Sequence, residues 1–63
     1  RGSSAKARIR LIQQQLIAKG ENPGPVDGMF GRLTEASVRR YQAAQGLTID
    51  GIVGPQTWRA LFS

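Results

Sequence analysis

Apolar positions along the chain fall into three helical stripes separated by two glycine-marked loops. In the first stripe Ile9, Ile12 and Leu16 recur at helical spacing, and Leu11 and Ile17 widen it. This predicts a helix over about residues 4–19. Ser3 or Ser4 is the expected N-cap, accepting a backbone N–H bond. Lys19 suits the negative C-terminal end of the helix, and Gly20 supplies a left-handed stop. Pro23 and Pro25 follow, and neither continues a helix. A second helix is predicted from just after Gly31 to near Gln45, with Thr34, Val38, Tyr41 and Gln45 on one face and Ala44 beside Tyr41. Gly46 stops it, and Leu47 folds back onto the last turn. The third helix is short. Gly54 is its cap and Pro55 its first residue, where the missing N–H costs nothing. Trp58, Leu61 and Phe62 then stand at i, i+3 and i+4, so Trp58 is expected to anchor the core. Val26 and Ile49 are each expected to be the last inward residue before a chain reversal, in segments too short for a sheet.

The two loops are related. Asp27-Gly28-Met29-Phe30-Gly31-Arg32-Leu33-Thr34 matches Asp50-Gly51-Ile52-Val53-Gly54-Pro55-Gln56-Thr57 at an offset of 50 − 27 = 23 residues. Asp, both Gly and Thr are identical, and the two middle positions are apolar in each copy. Upstream, Ile9-Arg10-Leu11-Ile12-Gln13 matches Val38-Arg39-Arg40-Tyr41-Gln42 at an offset of 38 − 9 = 29. The first copy therefore carries 29 − 23 = 6 extra residues, expected near Glu21-Asn22-Pro23-Gly24-Pro25. One structural unit used twice accounts for such a pattern. Asp-Gly suits a turn, so Gly28 and Gly51 are predicted to have positive φ. The fold class that follows is all-α: a small three-helix bundle built from two helix–(Asp-Gly-x-x-Gly) loop repeats.

Length sets the scale of the core. Sixty-three residues make one domain, which buries only about 60% of its unfolded surface. Net stability of about 3–5 kcal/mol is usual at this size. There is no Cys, so no disulfide staples the chain. Arg1-Gly2-Ser3-Ser4 reads as a linker end or cloning remnant, and residues 5–63 as the domain, cut from a longer protein. No apolar stretch approaches the ~18 residues needed to cross a bilayer, and the expected state is a monomer. The net charge is +5. It favours an anionic partner such as nucleic acid, acidic lipid or an anionic wall polymer, or it serves solubility alone. The cations are spread over Arg8 and Arg10, then Arg32, Arg39 and Arg40, then Arg59. That spread argues against a nucleic-acid stripe, and Arg39 and Arg40 read as a solvated face.

Catalytic chemistry is poorly supplied. There is no His, and the carboxylates are Glu21, Asp27, Glu35 and Asp50. Asp27 and Asp50 occupy equivalent turn positions, where Asp bonds local backbone N–H groups. They are therefore not read as a glycosidase pair. Ser and Thr have no His or Cys partner for a nucleophilic triad. The Asp-Gly-x-x-Gly block lacks the Gly-Lys-Thr ending of a phosphate loop. One Asp per copy is too few for a calcium repeat. No metal or cofactor is expected.

These residues resemble the bacterial peptidoglycan-binding domain, type 1. Ile9-x-x-Ile12-Gln13-x-x-Leu16 is similar to its first helix, and Asn22 to Gly31 to its first loop. Thr34 to Gln42 with Gln45-Gly46-Leu47 is similar to its second helix, and Asp50 to Leu61 to its ending. The resemblance covers nearly the whole chain from Ile9. Lys19 and Glu21 stand where the family often has apolar or aromatic residues, and Ser37 where Ala is common. The resemblance implies a compact three-helix fold and a non-catalytic module attached to enzymes that cut or remodel the bacterial wall. The implied partners are peptidoglycan and the catalytic domain of the parent chain, with no nucleic acid and no membrane insertion. The implied location is extracytoplasmic: cell wall, periplasm or a secreted or phage lysin. A similar fold serves as the prodomain of matrix metalloproteinases, but the Cys of that switch is absent here. A protein-interaction or prodomain-like module packed against its own catalytic domain is the alternative.

The expected ligand groove lies beside the first Asp-Gly loop and the start of the second helix. The first copy has Phe30 and Arg32 where the second has Val53 and Pro55. Those differences place a ring and a charge on the longer loop. Asp27, Phe30, Arg32, Thr34, Tyr41 and Arg59 are the candidate binding residues. The competing expectation is that Phe30 and Tyr41 are core and Arg32 merely solvated.

Overall fold

The structure is a computed structural model and describes residues 3–63. Arg1 and Gly2 lie outside the described residues. So do the side chains of Ser3 and Ser4, on which the N-cap expectation rests, and the linker assignment that begins at Arg1. Three helices follow one another: α1 (Ser3–Ala18), α2 (Arg32–Gln45) and α3 (Pro55–Leu61). There is no strand among the described residues. The expected all-α three-helix architecture is the one observed.

Local chemistry sets each boundary. At the end of α1 the Glu21 N–H donates to the Leu16 carbonyl at 2.8 Å. At the end of α2 the Leu47 N–H donates to the Gln42 carbonyl at 2.8 Å. Both are six-to-one closures around a left-handed glycine, Gly20 (φ +89°) and Gly46 (φ +72°). The third helix opens on Gly54 with Pro55 in its first turn. Gly20 stands seven residues after Gln13 and Gly46 four after Gln42, and α1, ending at Ala18, runs two residues further past its Gln than α2 does, ending at Gln45. From the glycine to the Asp the counts are again seven and four. The six extra residues are thus divided, two lengthening the helix and four lengthening the segment from its end to Asp27, rather than all lying near residues 21–25.

The core is small. Ile12, Leu16, Val38, Tyr41 and Leu61 are buried together, with Val53, Trp58 and Ala60 against their edge. The first helix packs on both α2 and α3, and its buried stripe is narrow. Gln13 takes the inward place between Ile12 and Leu16. Leu11 and Ile17, expected to widen the stripe, are instead 49% and 50% exposed. Gln45 and Ala44 are exposed, because α2 makes its last inward contacts at Tyr41 and Gln42. Val26 and Ile49 are also at the surface rather than inward. The turns that follow them are held by the buried glutamines, so an apolar anchor is not required there. Trp58 is partly buried, against the core rather than within it. Its ring lies 4.2 Å from that of Phe62, and the Arg8 guanidinium sits over it at 4.6 Å. Arg39 and Arg40 are exposed, each beside a carboxylate: Glu35 at 3.4 Å and Glu21 at 3.5 Å. Such surface pairs contribute little to stability.

Candidate functional site

Two buried amides organise the loops. Gln13 is 1% exposed and Gln42 is fully buried. The Gln13 Oε1 accepts the backbone N–H groups of Asp27 and Gly28, both at 3.1 Å. Its Nε2 has two hydrogens, shared among Asp27 Oδ1 (3.3 Å), the Met29 carbonyl (3.1 Å) and Thr34 Oγ1 (3.1 Å). The Gln42 side chain does the same to the second loop. Its Oε1 accepts from Asp50 N–H (3.1 Å) and Gly51 N–H (3.0 Å). Its Nε2 donates to Asp50 Oδ1 (2.9 Å), the Ile52 carbonyl (3.0 Å) and Thr57 Oγ1 (3.0 Å). Each Asp closes its own turn by accepting a backbone N–H two residues on, Met29 or Ile52, at 2.9 Å. Gly28 and Gly51 have φ of +77° and +72°, as the Asp-Gly turns predict. A β-carbon at Gly28 would run into the Lys6 side chain, and one at Gly51 into those of Glu35 and Arg39.

This geometry acts on the carboxylates. The Met29 N–H, and after it the Gln13 amide, holds the Asp27 carboxyl below its ordinary range. The Ile52 N–H and then Gln42 do the same for Asp50. Both Asp are therefore ionised turn-formers, unsuited to proton transfer at neutral pH.

The two loops diverge in their surroundings. The longer first loop buries the Pro23 ring, and the Thr34 hydroxyl donates to the Pro23 carbonyl at 3.1 Å. At Gly24 (φ +86°) the loop passes so close to Leu33 that a β-carbon would stand 3.0 Å from its Cδ1. Between this loop and the start of α2 lies an open groove of about 310 Å³. Its walls are Pro23, Pro25, Met29 and Leu33, its floor is Gln13 and Thr34, and Asp27 and Arg32 bring the charges.

Of the six expected binding residues, the groove brings together Asp27, Arg32 and Thr34. The Thr34 side chain is buried and already bonded to Gln13 and Pro23, so it offers the groove little beyond a fixed floor. Phe30 is 38% exposed and borders a different, apolar depression of about 270 Å³ with Ile9, Ile12, Ile52, Val53 and Arg8. Arg59 borders a third, on α3, with Pro55, Gln56, Ala60 and Ser63. Tyr41 is 3% exposed and belongs to the core, where burial pushes its hydroxyl above the ordinary range. It is buried in one cluster with Ile12, Leu16, Val38 and Leu61, where α1 packs on α2 and α3. Sequence reasoning did not single out Pro23, Pro25, Met29 and Leu33, nor the two glutamines. For the glutamines a signal was present: they are the matched polar positions inside two apolar helix segments.

No group of three or more His, Cys, Asp or Glu is placed to hold a metal among the described residues. None of the described helices is long and apolar enough to cross a membrane.

The described residues form a small helical fold with a hydrogen-bonded loop scaffold and a shallow groove of mixed chemistry. The family model described as "Putative peptidoglycan binding domain" matches residues 5–61, and the chain belongs to that family. It is 39% identical, over 97% of its length, to a zinc D-Ala-D-Ala carboxypeptidase of Streptomyces albus G, of which the match covers 24%. It is 41% identical, over 86% of its length, to the N-acetylmuramoyl-L-alanine amidase CwlM of Mycobacterium tuberculosis, covering 13% of that protein. A spore cortex-lytic enzyme of Bacillus cereus is 39% identical over 97% of the chain and is covered to 23%. The chain thus spans less than half of each of these relatives. No solved structure matches significantly.

Proposed function

We propose that the chain is a non-catalytic module that holds an attached wall-remodelling or lytic enzyme on peptidoglycan, outside the cytoplasm. The observation that carries this reading is the groove of the first loop, formed in a member of a peptidoglycan-binding family. It is the one depression of the three that joins both charges to aliphatic walls. Relatives named as carboxypeptidase, amidase and cortex-lytic enzyme each carry the matching segment as a minor part of a longer chain. A shallow single site binds weakly, and tethering turns weak binding into a high local concentration of enzyme on the polymer.

The test is co-sedimentation of the chain with purified, protein-free wall sacculi over a range of salt. Retention at salt that screens the +5 charge is expected, and Arg32→Ala should weaken it with an unchanged melting curve. Binding that vanishes with salt, or that Arg32→Ala leaves intact, would argue against the groove.

A second reading is docking against the catalytic domain of the parent chain. The apolar depression at Ile9, Phe30, Ile52 and Val53 favours it, since Ile52 is largely exposed there. Retention by the catalytic domain but not by sacculi would select this reading.

A further inference from the structure

The groove has a chemistry that separates the two halves of a glycopeptide polymer. Sugars offer hydroxyls and C–H faces, and a large flat ring is the natural surface for the latter. No aromatic residue lines the groove. The four aromatics of the chain are placed elsewhere: Tyr41 in the core, Trp58 and Phe62 against each other on α3, and Phe30 on the separate depression. What the groove does offer is aliphatic. Pro25, Met29 and Leu33 are exposed along it as walls suited to methyl-sized side chains, with the buried Pro23 ring behind them.

The charges are arranged for a ligand with its own. Arg32 is exposed in the first turn of α2 and has no carboxylate partner among the described residues. A guanidinium free of protein partners is the group best shaped to take a carboxylate through two parallel N–H bonds. Asp27 uses Oδ1 for the Met29 N–H and for Gln13, while Oδ2 has no hydrogen bond to another described residue. That oxygen can accept an N–H from the same ligand. The volume of about 310 Å³ lies at the small end of ligand sites and suits two or three small residues.

We infer that the groove takes a short peptide of small aliphatic residues with a free terminal carboxylate, seated on Arg32, and not the glycan. This rests on the wall-binding reading above and specifies which part of the wall the groove recognises. Arg32 is the specificity-determining residue, and the aliphatic walls exclude bulky or strongly polar side chains.

The experiment is a residue-resolved NMR titration of the chain with three probes. They are an alanine-terminated tetrapeptide with a free carboxylate, the same peptide amidated at its C-terminus, and peptide-free glycan strands. Sacculus co-sedimentation runs in parallel. The free-acid peptide is expected to shift the amides of Met29, Arg32 and Leu33. Amidation, or Arg32→Ala, should weaken that response about tenfold or more. Glycan strands should leave those amides unmoved. Equal responses to acid and amide would overturn the carboxylate assignment. A response to glycan strands alone, or none to any probe while sacculi still bind, would overturn the inference and leave the wall-binding reading standing. Failure to bind sacculi at all would overturn that reading itself.

Discussion

Replacing Gln42 with Ala should come close to unfolding the protein. The side chain is fully buried and fills four hydrogen-bonding positions, two through Oε1 and two through the Nε2 hydrogens. A net contribution of about 1 kcal/mol per neutral bond gives about 4 kcal/mol. Two effects act in opposite directions. The Asp50 and Ile52 end of the loop is exposed, so water can reach part of what is lost. The Gly51 N–H and the Thr57 hydroxyl are buried and would be left without a partner, at about 1–3 kcal/mol for such groups. An overall cost of about 3–4 kcal/mol follows, against a total of about 3–5 kcal/mol for a chain this small. Urea denaturation followed by circular dichroism measures it. The variant should be marginally stable, with an unfolding midpoint close to zero urea, and Gln13→Ala should behave alike because Gln13 makes the equivalent bonds. A loss below about 1 kcal/mol with an unchanged slope in urea would refute the argument. It would mean that the loops hold their shape through Asp and Gly alone.

Further expectations follow from other sites. Ser37 is fully buried on α2 and its hydroxyl has no hydrogen-bond partner among the described residues, so Ser37→Ala should raise stability by about 1 kcal/mol; a lower melting temperature would reveal a bond to water or backbone. Trp58→Ala should cost about 2–3 kcal/mol, below the ~3–5 of a fully buried ring, because Trp58 sits at the core edge between Phe62 and Arg8; a melt equal to that of the parent would show the ring to be dispensable to the fold. Asp27 and Asp50 are both held below their ordinary range by the N–H groups they accept. Their stabilisation is therefore present above the unfolded carboxylate range of about pH 4 and lost as pH falls through the depressed folded values. The double variant Asp27→Asn, Asp50→Asn should flatten the fall in stability measured from pH 5 downward, and an unaltered acid limb would show that these two carboxylates do not supply it.

How much of this was legible follows from what each residue type can signal alone. Glycine and proline announce a backbone state whatever surrounds them. The helix stops at Gly20 and Gly46, the Pro55 start and the positive φ of Gly28 and Gly51 were accordingly readable from the sequence. Apolar residues announce only a wish for burial. The supply on α1 exceeded what two short partner helices can cover, so Ile12 and Leu16 went inside while Leu11 and Ile17 stayed at the surface. Glutamine announces nothing by itself. Its role depends on a loop folding back over it from 14 residues away for Gln13 and 8 for Gln42. Tyr41 illustrates the same limit, since an aromatic ring suits a core and a binding face equally well.

A ligand groove was expected from a difference between two similar loops, and the structure shows what surrounds each of them. Both loops hang from the same amide–Asp–Gly–Thr arrangement, with Gln13 and Gln42 making matching bonds. Around the second loop the same arrangement gives a different surface: Gly51, Ile52 and Val53 border the apolar depression with Phe30, while Pro55 and Gln56 border another with Arg59. The first loop follows a helix two residues longer and is itself four residues longer, and it is there that Pro23 is buried and its carbonyl accepts the Thr34 hydroxyl. The segment carrying Pro23 and Pro25 forms one wall, and Leu33, pressed against Gly24, forms the other. Arg32, the first residue of α2, lines the groove at the helical position that Pro55 occupies in α3. The scaffold is therefore what the two copies share, and the candidate site is what the longer copy adds. Shortening the first loop toward the second should preserve the Gln13 bonds while removing the groove.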